Sequence, residues 1–342
     1  FNTKLTTGTG NSQAVTGLGF QPDLIWGKRR DSTGQHSWFD AVRGITKGIE
    51  SSTNAAEFTT TDYYSSFDSD GFTIAAGSGG AGNGSSQTAA QWCWKANGQG
   101  SANTDGTINT IYTSANTTSG FSIIKYTGTG SNGTVAHGLG VAPKMVIVKV
   151  LSTNNDWMVG HNGLDLAGGN PWHKYVYLNG TSAEADASTF WNDTAPTSSV
   201  VSLGTHSYVN YSGRNYIMYA FAEKKGYCKI GNYKGNGNAD GTFVYCGFKP
   251  AMVMIKFAGS DNWYLKDDKR DVDNPVITNL FPNLSNADNT NSASYADFLS
   301  NGFKFRGTDS GLNGNNNAYI YMAIAAEPLV ANVGNSIPAT AR

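Results

Sequence analysis

The chain is poor in charge. Only 14% of its 342 residues are Asp, Glu, Lys or Arg, and the formal net charge is −1; ordinary globular proteins carry about a quarter charged residues. That near-neutrality removes the electrostatic case for a nucleic-acid or anionic-membrane partner. Cysteine is scarce as well: three residues cannot make the disulfide framework of a small stapled fold. No apolar run approaches the ~18–20 residues of a membrane-spanning helix, and no window keeps helical periodicity for three turns. The sequence opens on Phe1 and shows no charged leader with an apolar core there; we expect either that something has been removed or that the numbering begins inside a longer product.

What is plentiful is glycine, with 42 residues, together with 17 Tyr, 16 Phe and 8 Trp. Turn formers mixed with aromatic and β-branched residues make an all-β composition. The aromatics and the low charge argue against disorder.

One passage is written three times. TGTGNSQAVTGLGFQPDLIWGK returns as TGTGSNGTVAHGLGVAPKMVIVK, and again in altered form as KGNGNADGTFVYCGFKPAMVMIK. Gly19, Gly140 and Gly247, then Pro22, Pro143 and Pro250, then Lys28, Lys149 and Lys256 keep one spacing throughout. A repeat of roughly a hundred residues is domain-sized, longer than a solenoid unit. Within each copy a strand leads into Gly-x-Gly, a return strand follows, and proline introduces the most hydrophobic strand. Then come a tryptophan strand (Trp38, Trp157, Trp263), a polar middle and a closing strand aligned at Trp94, Phe221 and Ile324. Closing strands apolar at nearly every position should be buried on both faces.

These signals give three tandem β-sandwich-like domains: residues 1–96, 121–225 and 226–328. Residues 97–120 form a linker in which the alternation of TINTIYT suggests a docking strand, and 329–342 form an extended tail. If the first two strands of the third unit fold as a hairpin about Gly237, Cys228 and Cys246 face each other. A cross-strand disulfide and two buried thiols then both fit. The thiols are favoured, because Cys93 has no counterpart.

Motifs of chemistry are sparse. A strand follows each Gly-x-Gly where a dinucleotide fingerprint needs a helix, so the glycines read as hairpin turns with positive φ. Asp68 and Asp70 in FDSDGF resemble the start of a calcium loop but lack the downstream glutamate; an Asx turn is the better reading, and they stay weak metal candidates. Asp267, Asp268, Asp271 and Asp273 alternate with Lys266, Lys269 and Arg270, as in a solvated loop. The five histidines lack zincin spacing, no Gly-x-Ser-x-Gly elbow occurs, and no carboxylate pair recurs between copies. Neither a catalytic residue nor a cofactor is expected. The repeated tryptophans read as core fillers. The unrepeated aromatics Trp172, Trp191, Tyr63, Tyr64, Tyr208 and Tyr211 fall in loops and are the candidates for ligand contact.

The phrase NTDGTINTIYTSANTTSGFSIIKYTGTGSNGTVAHGLGVAPKMVIVK, with GLGFQPDLIWGKRRDSTGQHSWFDAVRG and QWCWKANG before it, resembles virion structural and tail-fibre-like proteins of tailed bacteriophages, marine ones especially. The resemblance covers the first two units closely and the third loosely, and carries no catalytic motif. It implies a non-enzymatic virion protein, extracellular, most simply a tail fibre or other appendage that contributes to host attachment. It also implies a homotrimer, contacts with other virion proteins, and a host-surface glycan as partner. A capsid decoration protein and a secreted carbohydrate-binding or adhesin module are the competing expectations, with a depolymerase behind them.

Overall fold

The structure is a computed structural model that describes residues 1–77, 80–166 and 168–326. The tail expected at 329–342 lies outside those residues. The fold is all-β.

The first unit contains β1 (Asn2–Thr7), β2 (Gln13–Thr16), β3 (Leu24–Arg29), β4 (Ser37–Asp40), β5 (Lys47–Glu50), β6 (Phe58–Thr59), β7 (Tyr64–Asp68), β8 (Gly71–Ile74) and β9 (Thr88–Trp94). These make a large antiparallel sheet, β1-β9-β3-β4-β5-β6, and a small one, β2-β8-β7. Next come β10 (Thr110–Asn116), β11 (Phe121–Thr127), β12 (Gly133–Ala136), β13 (Met145–Val150), β14 (Met158–His161), β15 (Lys174–Tyr177), β16 (Ala185–Asp186), β17 (Val200–Leu203) and β18 (Asn215–Phe221). Their large sheet is β10-β11-β18-β13-β14-β15-β16 and the small one β12-β17, so β10, inside the expected linker, covers the outer edge of β11. The third unit holds β19 (Cys228–Lys234), β20 (Phe243–Tyr245), β21 (Pro250–Phe257), β22 (Trp263–Asp267), β23 (Thr278–Asn279), β24 (Asn289–Thr290), β25 (Ala296–Leu299), β26 (Gly302–Phe305) and β27 (Ala318–Ala325). Here the sheets are β19-β27-β21-β22, β20-β26-β25 and the pair β23-β24.

One strand order therefore occurs three times: β1-β9-β3-β4, β11-β18-β13-β14 and β19-β27-β21-β22. Register repeats with it, since Leu24 faces Trp94, Met145 faces Phe221 and Met252 faces Ile324. In each unit the large sheet packs one face on its own small sheet. The opposite faces of all three large sheets meet in a common core. Strand alternation sorts the side chains. On β13, Met145 and Ile147 enter the common core, whereas Val146, Val148 and Val150 enter the second unit's own core. On β27, Ile320, Met322 and Ile324 go to the centre, and Tyr319, Tyr321 and Ala323 go outward to the third unit's core. Both faces of these strands are buried, which is why they read as unbroken apolar runs.

One expectation of the architecture needs correction. The first two strands of a unit do not form a hairpin: β1 pairs with β9 and β2 with β8, and likewise β19 pairs with β27 and β20 with β26. Gly-x-Gly is the corner where the chain leaves the large sheet for the small one. Cys228 on β19 and Cys246 just past the end of β20 consequently do not face each other across a hairpin; both are free, buried thiols, as expected, and so is Cys93.

Candidate functional site

Most of the loop aromatics are not available to a ligand. Trp172 and Trp191 are buried in the second unit's core, edge to face at 6.0 Å between ring centroids. Tyr64 is buried in the first unit's core, and half-buried Tyr63 packs on Phe39 and Phe58. Hydrophobic burial drew these rings inward although the surrounding sequence is polar. Tyr208 is half-buried against His206, and only Tyr211 stands in solvent, 50% exposed under the Arg214 guanidinium at 4.3 Å. The six do not converge on one surface. The weak metal candidates have local partners: Asp68 accepts from Ser66 and Thr73, and Asp70 accepts the backbone N–H groups of Gly17 and Gly19 at 2.9 and 2.6 Å. Those two amide bonds lower the Asp70 pKa. No group of three or more metal-ligating side chains occurs among the described residues.

Several of the buried ionisable groups lie at the seams between units. Asp40 at the end of β4 accepts the Tyr219 hydroxyl of the second unit at 2.7 Å. His161, at the same place in the second unit, bonds the Tyr321 carbonyl of the third at 3.2 Å. Asp267, its counterpart in the third, accepts the Trp92 indole N–H of the first at 3.2 Å. The contacts run first to second, second to third and third to first, closing a ring. Backbone bonds repeat that cycle, from Glu57 N to Leu151 O, Glu184 N to Ala258 O and Asp288 N to Arg30 O. Arg43 and Arg270 neutralise Asp40 and Asp267, each at 2.6 Å and fully buried. Of the landmark lysines, Lys149 donates to Asn54 O of the first unit at 3.0 Å and Lys256 to Thr181 O of the second at 3.5 Å. Burial lowers Lys28, Lys149 and Lys256 to about 8.

An open concavity lies beside one of the seams. Between the second and third units a groove of about 820 Å³ is lined by Val141, Ala142, Lys144, Glu223, the turn from Lys224 to Gly226, Cys228, Lys229 and Tyr245 to Gly247. That volume is in the range of ligand sites. Its floor holds the two thiols, Cys228 and Cys246, which burial keeps protonated at neutral pH by raising their pKa values. Tyr245, 64% exposed, stands at the rim. Sequence reasoning missed this residue, although a signal existed. Counting back from the shared proline, Tyr245 occupies the place of Gly17 and Gly138, so the third copy alone puts a large ring there.

A family model described as a domain of unknown function (DUF7483) matches residues 1–328. The chain belongs to this family. The match runs through all three units, so the family's domain is the ring-closed body and not one of its thirds. No curated protein and no solved structure matches the chain.

Proposed function

We propose that the protein is a non-enzymatic structural protein of a phage virion, a tail fibre or other appendage displayed on the particle and contributing to host-surface attachment. The resemblance of the first two units supplies the class. The observation that carries the reading is the ring of seams. Tyr219 on Asp40, His161 on the Tyr321 carbonyl and Trp92 on Asp267 commit the buried polar groups to holding three sheets together. A body tied in this way is a stiff frame whose turns and grooves are held at fixed positions. Such a frame suits repeated weak contacts made from one particle. Homotrimerisation belongs to the same proposal and would multiply those contacts.

Gold-labelled antibody against the chain, applied to intact particles, tests the location. Label at the tail or its fibres is the expected result. Label spread over the capsid lattice would replace the appendage with a decoration protein, and label only in the culture fluid would favour a secreted binding module. Sedimentation of the purified chain should give three times its 36.3 kDa mass.

A further inference from the structure

We propose that the groove between the second and third units binds an acidic saccharide, with Tyr245 as the stacking platform for a sugar ring and the groove lysines as partners of its carboxylate or phosphate. The inference rests on the attachment reading above and names the ligand class of that surface.

Charge is the first argument. Four lysines, Lys144, Lys224, Lys225 and Lys229, line the groove against a single carboxylate, Glu223, and Lys229 already pairs with Glu223. Lys144, Lys224 and Lys225 make no ion pair among the described residues. In a chain of net charge −1, this is a local positive site and not the long basic stripe that a nucleic acid requires. A tight turn presents the central pair: Lys224 N donates to Cys228 O at 3.0 Å and Cys228 N to Lys224 O at 2.9 Å, leaving Lys225 exposed at the tip.

Shape is the second. The Tyr245 ring passes beside Gly247, where an added Cβ would lie 3.5 Å from the hydroxyl oxygen. Phe243, 42% exposed, stands two residues earlier on β20 and therefore on the same face of the strand. An exposed aromatic beside unpaired ammonium groups and small apolar side chains such as Val141 and Ala142 suits a ligand with a flat C–H face and a negative group. An acidic peptide would satisfy the lysines and leave the ring unused.

The third argument is that the fold does not need these residues. The sister copies carry glycine where Tyr245 stands. At the first seam the corresponding stretch is the longer 97–120 segment; at its start Gly98 N, with Ala96 N just before it, bonds the Asp23 carboxylate, and further on β10 pairs with β11. The second seam has only the short turn around Lys225, and the groove stays open.

The test applies the full chain to an array of uronate- and phosphate-bearing oligosaccharides beside neutral counterparts of the same backbones, with polyglutamate as the charge-only control. Acidic members should bind and neutral ones should not. The Lys224→Gln/Lys225→Gln double variant should weaken binding about tenfold and Tyr245→Ala about fivefold. Both should keep the parent melting temperature, and polyglutamate binding should be insensitive to Tyr245→Ala. If polyglutamate binds as well as the acidic sugars and only the lysines matter, the saccharide assignment is overturned. An array without an acidic binder, or binding unchanged in both variants, overturns the groove as a site. Because the array uses isolated protein, its failure is distinct from a failure of particle labelling.

Discussion

At the scale of single residues, one side chain per unit holds the corner between sheets. Asn83, Asn210 and Asn313 are buried, and each Oδ1 accepts the N–H of the residue between the two glycines: Thr9, Thr129 and Asn236. Each Nδ2 donates to two carbonyls, in the second unit those of Ser131 and Gly204 at 2.6 and 2.9 Å. The backbone carbonyl of the same asparagine takes the N–H of the second glycine, Gly10, Gly130 or Gly237, all with positive φ. The first glycine is needed for close approach, since a Cβ on Gly128 would lie 2.4 Å from Tyr211 O. Asn210→Ala leaves the Thr129 N–H and the carbonyls of Ser131 and Gly204 without their partner, the last of them buried. It should lower unfolding free energy by about 3 kcal/mol in urea titration, whereas Asn132→Ala in an exposed loop should stay within about 0.5 kcal/mol. Equal effects would mean that the clasp contributes nothing beyond an exposed polar contact. The Gly-x-Gly motif was legible in the sequence, but its partner was not. The asparagines lie more than seventy residues away, in loops too rich in Asn and Gly for one to stand out.

Among elements, the seams substitute for one another in a chemically consistent way. Asp40 and Asp267 face neighbours with a donor, Tyr219 and Trp92, and each has an arginine three residues on. In the second unit the facing position holds Met322, which has no donor, and there the strand ends in His161 with Leu164 three residues on. A carboxylate without donors would be a costly buried charge. The neutral imidazole, its pKa lowered to about 4 by burial, fills the same space safely. A double-mutant cycle measures the link between third and first units. Trp92→Phe and Asp267→Asn should couple by about 1 kcal/mol or more, while Trp92→Phe and Asp297→Asn, at an exposed ion pair, should add. Additivity in the first pair would remove the indole–carboxylate bond as a tie. The acidic stretch that contains Asp267 reads as a solvated loop in sequence, yet Asp267 is fully buried, because the charge it neutralises belongs to a seam and not to the surface.

For the whole molecule, the common core makes the three units interdependent. Trp26, Trp38, Trp92, Trp157 and Trp263 all contribute to it, so a unit standing alone would expose its central face. The buried amines give the whole body a pH signature. Lys28, Lys149 and Lys256 lose their protons near pH 8 when folded, and Lys266 near 7, against 10.5 when unfolded. Above those values the unfolded chain binds more protons, so stability rises with pH. The buried cysteines, raised from 9.0, oppose this once pH passes 9, and the buried tyrosines, raised from 10.0, oppose it further. Melting temperature should therefore climb from pH 7 to a maximum near pH 9 and fall beyond it; a steady decline from pH 7 by scanning calorimetry would refute the lowered pKa values of the buried lysines.

The all-strand class, the three copies, their landmarks and the doubly buried closing strands follow from the sequence alone, because strand alternation and glycine or proline turns are local properties. Tertiary structure decided where the second face of each closing strand goes, which asparagine grips which turn, and that buried lysines and carboxylates join neighbouring copies. It also drew Trp172, Trp191 and Tyr64 inward and left Tyr245 outside. Each of these depends on what lies across space from a residue, and partners brought together by packing are separated along the chain by distances that no local pattern encodes.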